Sequence, residues 1–123
     1  MIETGLTHTS EVVVGYSNTA MGVGSGDMPV FATPAMLALM ENAAMLAVRD
    51  CLLDGCTTVG GYIASSHIRP TSAGATVKAV AEVVKVEGKK ISFKVAAYAD
   101  GQLIGEGEHI RFIVEKEKFL SRL

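Results

Sequence analysis

One carboxylate interrupts the most apolar segment of this chain. Between residues 35 and 48 the only polar side chains are those of Glu41 and Asn42. An ionised carboxylate in apolar surroundings is costly unless charged or hydrogen-bonding groups compensate it. A carboxylate perturbed in this way suits a catalytic nucleophile or base. The alternatives are a narrow solvated stripe along a helix and a contact between subunits.

Three histidines are the other groups suited to proton transfer. His67 titrates near neutrality and could pass protons in either direction, although a lone strand histidine is usually an ordinary, partly buried residue. His8 lies in an unpatterned N-terminal segment, and His109 could simply stand on a sheet face. Taken alone, His67 would be a strand histidine of no special interest, and His8 and His109 are weaker candidates.

Neither the cysteines nor the glycine-rich segment has the spacing of a metal or cofactor site. Cys51 and Cys56 form no C-x-x-C pair and do not stand at metal-site spacing from any histidine, which predicts free thiols and no zinc. Gly22, Gly24 and Gly26 form a G-x-G-x-G run that does not join a strand directly to a helix, so it predicts the flexible edge of a pocket rather than a dinucleotide site. No cofactor and no metal are expected.

A long helix must position Glu41. Thr33 and Pro34 are typical of a helix start, with the Thr33 hydroxyl as N-cap, and Gly55 is typical of a helix end. The helix is expected to run to Leu53 or Asp54. Because apolar residues nearly encircle its axis, it should be buried on most sides, by a sheet and by a partner chain.

Only strand signals follow the helix. Alternation and turn residues predict five strands in all, at Thr9–Tyr16, Thr57–Arg69, Thr76–Val86, Lys90–Ala99 and Gln102–Val114, followed by a solvated tail. Asp100-Gly101 is a two-residue hairpin signal, and Gly105 and Gly107 should let the helix approach the last strand. This order predicts an α+β hot-dog fold, an antiparallel sheet wrapped around one central helix. A sandwich with the helix on one open face is the alternative.

Length and composition bound the remaining possibilities. The 123 residues suit a single domain spanning 1–123, and the net charge of -2 supplies no positive field for nucleic acid. A basic start followed by an apolar run is missing, and charged residues interrupt the helix, so we expect a soluble cytoplasmic protein with no membrane partner. The aliphatic composition, 49% hydrophobic with 6% aromatic, favours a homodimer, and pairing into tetramers is left open.

Motifs along most of the chain resemble one known family, the hot-dog thioesterases similar to fluoroacetyl-CoA thioesterase. They are Val30-Phe31-Ala32-Thr33-Pro34, Leu39-Met40-Glu41-Asn42-Ala43-Ala44, Val59-Gly60, Ser66-His67-Ile68-Arg69-Pro70-Thr71, Val86-Glu87-Gly88-Lys89-Lys90 and Gly107-Glu108-His109-Ile110-Arg111. The resemblance implies that Thr33, Glu41 and His67 are catalytic, that Gly60 lies near the reacting carbonyl, and that Arg111 matches the family's arginine near the chain end. It also implies an acyl-CoA substrate of small or medium chain. The aromatic gate of the fluoroacetyl-specific enzyme has no counterpart between Tyr16 and Val30, so fluoroacetyl selectivity is not implied.

Thioester hydrolysis fits these residue types. Glu41 could attack the carbonyl or activate water, His67 could serve water and the CoA sulfur, and the amide of Gly60 could stabilise the oxyanion. Thr33 and Glu41 are eight residues apart, about 12 Å along a straight helix. Either the first turn is irregular, or Thr33 serves the Glu41 and His67 of a partner subunit. Two other functions remain alternatives: a non-catalytic binder of acyl-CoA or a small apolar ligand, and a hot-dog hydratase or dehydratase.

Overall fold

Five strands and one long helix make up most of the structure, a computed structural model that describes all residues from 1 to 123. A short 3-10 turn, Tyr16–Asn18, precedes the first helix. In chain order the elements are β1 (Thr7–Val13), α1 (Ala20–Val23), α2 (Thr33–Arg49), β2 (Cys56–Ser65), β3 (Thr76–Glu87), β4 (Lys90–Ala99), β5 (Gln102–Glu115) and α3 (Lys116–Leu120). None of the helices combines the length and apolarity that a membrane span requires.

The strands form one antiparallel sheet in the order β1-β3-β4-β5-β2. Asp100 and Gly101 have φ values of 51° and 73°, the left-handed pair that a tight two-residue hairpin turn requires. The predicted hairpin between β4 and β5 is therefore confirmed. β2 is an edge strand, paired with β5 on one side and with nothing on the other.

Helix α2 packs on the inner face of this sheet and contacts β1, β2, β3 and β4. It buries Met36, Met40, Ala43, Ala44 and Val48 against a core supplied by the sheet. Each fully buried methionine contributes roughly 1.5–3 kcal/mol. A helix covered by a five-stranded antiparallel sheet confirms the predicted α+β hot-dog arrangement.

Two glycines of β5 have different neighbours. A Cβ at Gly105 would lie 2.8 Å from Cε of Met36, so this glycine does let α2 approach the strand. A Cβ at Gly107 would instead collide with the backbone of Ala64 in β2. The prediction of helix contact is therefore correct for Gly105 and wrong for Gly107, whose missing side chain makes room for the neighbouring strand.

Several predicted boundaries differ from the structure. Helix α2 ends at Arg49, because the amides of Cys51 and Leu52 already bond three residues back, to Val48 and Arg49. Gly55, with φ 83°, closes the turn that follows rather than the helix.

The other differences lie at strand ends and in two segments read as irregular. β1 occupies Thr7–Val13 rather than Thr9–Tyr16, and β2 stops at Ser65 rather than Arg69. The segment predicted as a glycine-rich loop contains α1, which Gly24 ends at φ 90°. The predicted solvated tail is exposed but forms the short helix α3.

Candidate active site

The first group of candidate residues joins the start of α2 to the chain beyond β2. Thr33 Oγ1 lies 2.6 Å from His67 Nδ1, within hydrogen-bond distance. Ala32 is the N-cap and Thr33 is the first helical residue, so the predicted capping role of Thr33 is wrong. Because no cap hydrogen bond engages its hydroxyl, the side chain is free to reach His67. Both residues line a cavity of about 330 Å³.

Burial disfavours the charged form of the His67 imidazole and so lowers the pKa of His67 below its ordinary value. Nδ1 faces Thr33, whereas Nε2 is buried and has no hydrogen-bond partner. A buried ring nitrogen without a partner is suited to a water molecule or a ligand atom.

The second group surrounds Glu41, in the middle of α2. The Glu41 side chain is 42% exposed, and its Oε2 lies 3.7 Å from Nη1 of the buried Arg111. This distance makes an ion pair but exceeds hydrogen-bond range. A Cβ at Gly60 would lie 3.0 Å from the same Oε2, so the missing side chain of Gly60 leaves room for the carboxylate.

Arg111 is fixed from two sides. Its Nε donates to Thr58 Oγ1 at 2.8 Å and its Nη2 donates to the carbonyl of Thr58 at 2.9 Å. Its Nη1 lies 3.2 Å from Nε2 of His109. Burial lowers the pKa of Arg111 and the Glu41 carboxylate opposes this change, yet a guanidinium stays charged at neutral pH. Arg111 therefore lies inside the protein rather than at its surface.

The two groups do not meet within one chain. Thr33 and Glu41 both belong to the regular helix α2, so about 12 Å of axial rise separates them. The first turn is not irregular in the way that would bring them together. Thr33 does not need a partner's His67 either, because it contacts the His67 of its own chain. Each chain thus carries two separate groups of candidate residues, called half-sites below: Thr33 with His67, and Glu41 with Gly60 and Arg111.

Of the two further residues around Arg111, sequence reasoning missed Thr58 and ranked His109 only as a weaker candidate. The signal for His109 was its spacing: residues 109 and 111 are two apart on β5 and so share a face. Thr58 gave no such signal, because its contact with Arg111 depends on the pairing of β2 with β5.

The cysteines and acidic groups offer no further centre. Cys51 and Cys56 are free and half-buried. Histidine, cysteine, aspartate and glutamate side chains nowhere gather in the groups of three or more that could hold a metal ion.

Comparison with known proteins gives a consistent result. The model of the fluoroacetyl-CoA-specific thioesterase family matches residues 14–117. A fluoroacetyl-CoA thioesterase of Streptantibioticus cattleyicolor is 37% identical over 94 residues, which are 76% of this chain and 68% of that protein.

Solved structures extend the match to nearly the whole chain. A variant of fluoroacetyl-CoA thioesterase in complex with acetyl-CoA has a TM-score of 0.93 at 31% identity, with 98% of this chain and 96% of that chain covered. A hot-dog-like protein from Thermanaerovibrio acidaminovorans has a TM-score of 0.87 at 21% identity, over 97% of this chain and 88% of that chain, and supports the fold alone. The chain belongs to the fluoroacetyl-CoA-specific thioesterase family, whose members are thioester hydrolases.

Proposed function

We propose that this chain hydrolyses a small or medium acyl-CoA thioester to the free acid and CoA. Thr33, Glu41 and His67 are the catalytic residues, and Gly60 and Arg111 lie beside the substrate. Membership of the family and the acetyl-CoA bound to a structural relative support the substrate class. The observation that carries the assignment of residues is the pair of half-sites, one with a histidine bound to a threonine hydroxyl and one with a carboxylate beside a fixed cation.

A homodimer would complete the site. The free edge of β2 offers ten residues, Cys56–Ser65, without a charge or a proline to discourage pairing with another strand. If two β2 strands pair antiparallel around a twofold axis near Ile63, the bulged segment at Gly60 of one copy lies close to Ser66, just beyond the end of β2 in the other. Gly60 belongs to the Glu41 half-site and Ser66 precedes His67. Such pairing therefore joins the His67 half-site of one protomer to the Glu41 half-site of its partner.

The reaction follows from the groups so joined. Either Glu41 attacks the thioester carbonyl, and water later hydrolyses the acyl-enzyme anhydride, or Glu41 takes a proton from a water that attacks directly. In both routes the C–S bond breaks and the departing CoA thiolate takes up a proton. His67 can pass that proton on only after taking it up, from the attacking water by way of Glu41 in the direct route and from solvent in the covalent route. Thr33 orients the imidazole through Nδ1, and the amide of Gly60 is the candidate donor to the oxyanion.

A complementation experiment tests the shared site. Thr33→Ala and Glu41→Ala each damage one half-site, so each pure variant should be nearly inactive in a CoA thiol-release assay. In a heterodimer of the two variants, one site has both damaged halves and the other has none. An equal mixture refolded together should therefore recover about a quarter of the wild-type turnover.

The controls separate the alternatives. Each variant refolded without the other should recover no turnover. No recovery in the mixture, with wild-type protein active, would reject the shared site but keep the activity. A wild-type protein that binds acyl-CoA without releasing thiol would instead favour the non-catalytic binder. For an active enzyme, ¹⁸O found in the Glu41 carboxylate after one turnover in labelled water would establish covalent attack, because that label enters only when water opens an anhydride at the Glu41 carbonyl.

A further inference from the structure

A buried histidine lies behind the Glu41 half-site, and the reaction described above does not use it. His109 is 1% exposed and its ring stacks on Phe93, with the ring centroids 6.0 Å apart. Both ring nitrogens have polar neighbours: Nδ1 lies 2.7 Å from the carbonyl oxygen of Tyr62, and Nε2 lies 3.2 Å from Nη1 of Arg111. A fully buried imidazole with two engaged nitrogens has a fixed orientation.

The partners of His109 determine where its proton resides. The Tyr62 carbonyl can only accept a hydrogen bond, so Nδ1 must carry the hydrogen and donate it. A guanidinium can only donate, so Nε2 must be unprotonated and accept from Arg111. If the ring were doubly protonated, the Nε2–H of His109 would face an N–H of Arg111 at 3.2 Å, and both groups would be positively charged. Consistently, burial chiefly, and the charge of Arg111, lower the pKa of His109, against opposing effects of the Tyr62 carbonyl and Glu41.

This acceptor completes the support of the guanidinium. Of the five N–H groups of Arg111, two are engaged by Thr58 and one by His109. One N–H therefore remains on each terminal nitrogen, and Nη1 is the nitrogen 3.7 Å from Glu41 Oε2. Thr58 holds Nε and Nη2 of the guanidinium, and His109 holds Nη1. Without the acceptor on His109, the guanidinium would be held through Nε and Nη2 alone.

We propose that His109, together with Thr58, is a positioning residue that aims the Nη1 edge of Arg111 at Glu41. This inference rests on the function proposed above and adds a neutral histidine that acts only through Arg111. Its consequence is that the carboxylate of Glu41 faces the substrate in one orientation, with a cation held at its side. Correct orientation of a reacting group is a large source of catalytic rate.

The proton position on His109 can be measured without any substrate. In long-range ¹⁵N–¹H correlation spectra of the wild-type protein at pH 7, His109 should show a protonated Nδ1 and an unprotonated Nε2. A protonated Nε2, or a doubly protonated ring, would overturn the inference. The Nε–H resonance of Arg111 should also be protected from solvent exchange, since Thr58 accepts from it.

Two matched variants then separate positioning from packing. His109→Gln keeps an acceptor long enough to reach Arg111, whereas His109→Asn is shorter and can replace only the bond to Tyr62. We expect kcat of His109→Asn to fall about 10- to 100-fold, as for loss of a hydrogen bond to a charged group, with KM changed less than about threefold. His109→Gln should stay within about fivefold of wild type. Exchange of the Arg111 Nη1 hydrogens, one of which His109 accepts, should speed up in the asparagine variant alone, while the Nε–H, which Thr58 accepts, should stay protected in both variants.

The remaining outcomes are decisive as well. Equal kcat in the two variants, or a loss confined to KM, would overturn the positioning role. If the wild-type protein hydrolyses no thioester, the proposed function fails, while the ¹⁵N spectrum and the exchange of Arg111 still decide whether His109 and Thr58 hold the guanidinium. Thr58→Ser, which keeps the hydroxyl, and Thr58→Val, which removes it, provide the corresponding pair on the other side of Arg111.

Discussion

Replacement of Thr33 distinguishes a catalytic hydroxyl from a structural one. Because Ala32 is the N-cap of α2, Thr33→Ala should not incur the roughly 1 kcal/mol that loss of a threonine cap costs. The substitution removes the 2.6 Å hydrogen bond with His67, and loss of a neutral hydrogen bond lowers the free energy of unfolding by about 0.5–1.5 kcal/mol. It also places a better helix former in α2, which raises the free energy of unfolding by up to about 0.7 kcal/mol. The two terms largely cancel, so the free energy of unfolding should change by less than about 1 kcal/mol.

Turnover should respond far more strongly than stability. Without the Thr33 hydroxyl, the His67 ring loses the partner of its Nδ1 and can rotate away from the substrate, so kcat should fall about 10- to 100-fold. Thr33→Ser keeps the oxygen and should remain within a few-fold of wild type. Thiol release on the best acyl-CoA ester and urea unfolding, measured on both variants, provide the comparison. Full turnover in Thr33→Ala, or a loss of stability above about 2 kcal/mol with normal turnover, would refute this reasoning.

Three further predictions concern the second half-site, pH and assembly. Gly60→Ala should displace the Glu41 carboxylate, because the new Cβ would lie 3.0 Å from Oε2, and kcat should fall at least about tenfold with little change in the thermal midpoint. Burial lowers the pKa of His67 and His109 below the unfolded value of about 6.5, so the unfolded chain binds more protons in that range. Stability should therefore fall as pH drops from about 6.5 towards the folded pKa values, and urea unfolding of His67→Gln should show a smaller fall. Sedimentation should give twice the chain mass of 12.9 kDa, whereas an active monomer at micromolar concentration would contradict the shared site.

Local signals were sufficient for much of the fold. β4 occupies Lys90–Ala99 as predicted, because strict alternation and two tight turns define both of its ends. The start of α2 was also predictable, since proline is favoured in the first helical turn. The C-terminal end of α2 was not, because Cys51 and Leu52 suit a helix as well as the turn that they form.

The position of His67 could not be derived from alternation. The pairing of β2 with β5 shifts between Gly60 and Tyr62, so a two-residue period cannot be carried along this strand to assign His67 to a face. β2 then ends at Ser65, and His67 lies in the irregular segment that follows. The proposed functional role of Thr33 came from the family resemblance. That its hydroxyl does not cap the helix could be seen only in the structure, where Ala32 is the N-cap.

The apolar surroundings of Glu41 make physical sense in an assembly rather than in one chain. One turn before and after it on α2 lie Leu37 and Met45, both only half-buried, and the carboxylate itself is 42% exposed. If a second copy covers this surface, as proposed, water leaves the carboxylate while Arg111, already held by Thr58 and His109, stays beside it. The attraction between the two charges strengthens as the local dielectric falls, which offsets part of the cost of removing that water. Dimerisation would then complete the site and exclude water from it. The carboxylate of Glu41, which is costly to bury in a monomer, would thereby become useful at the interface.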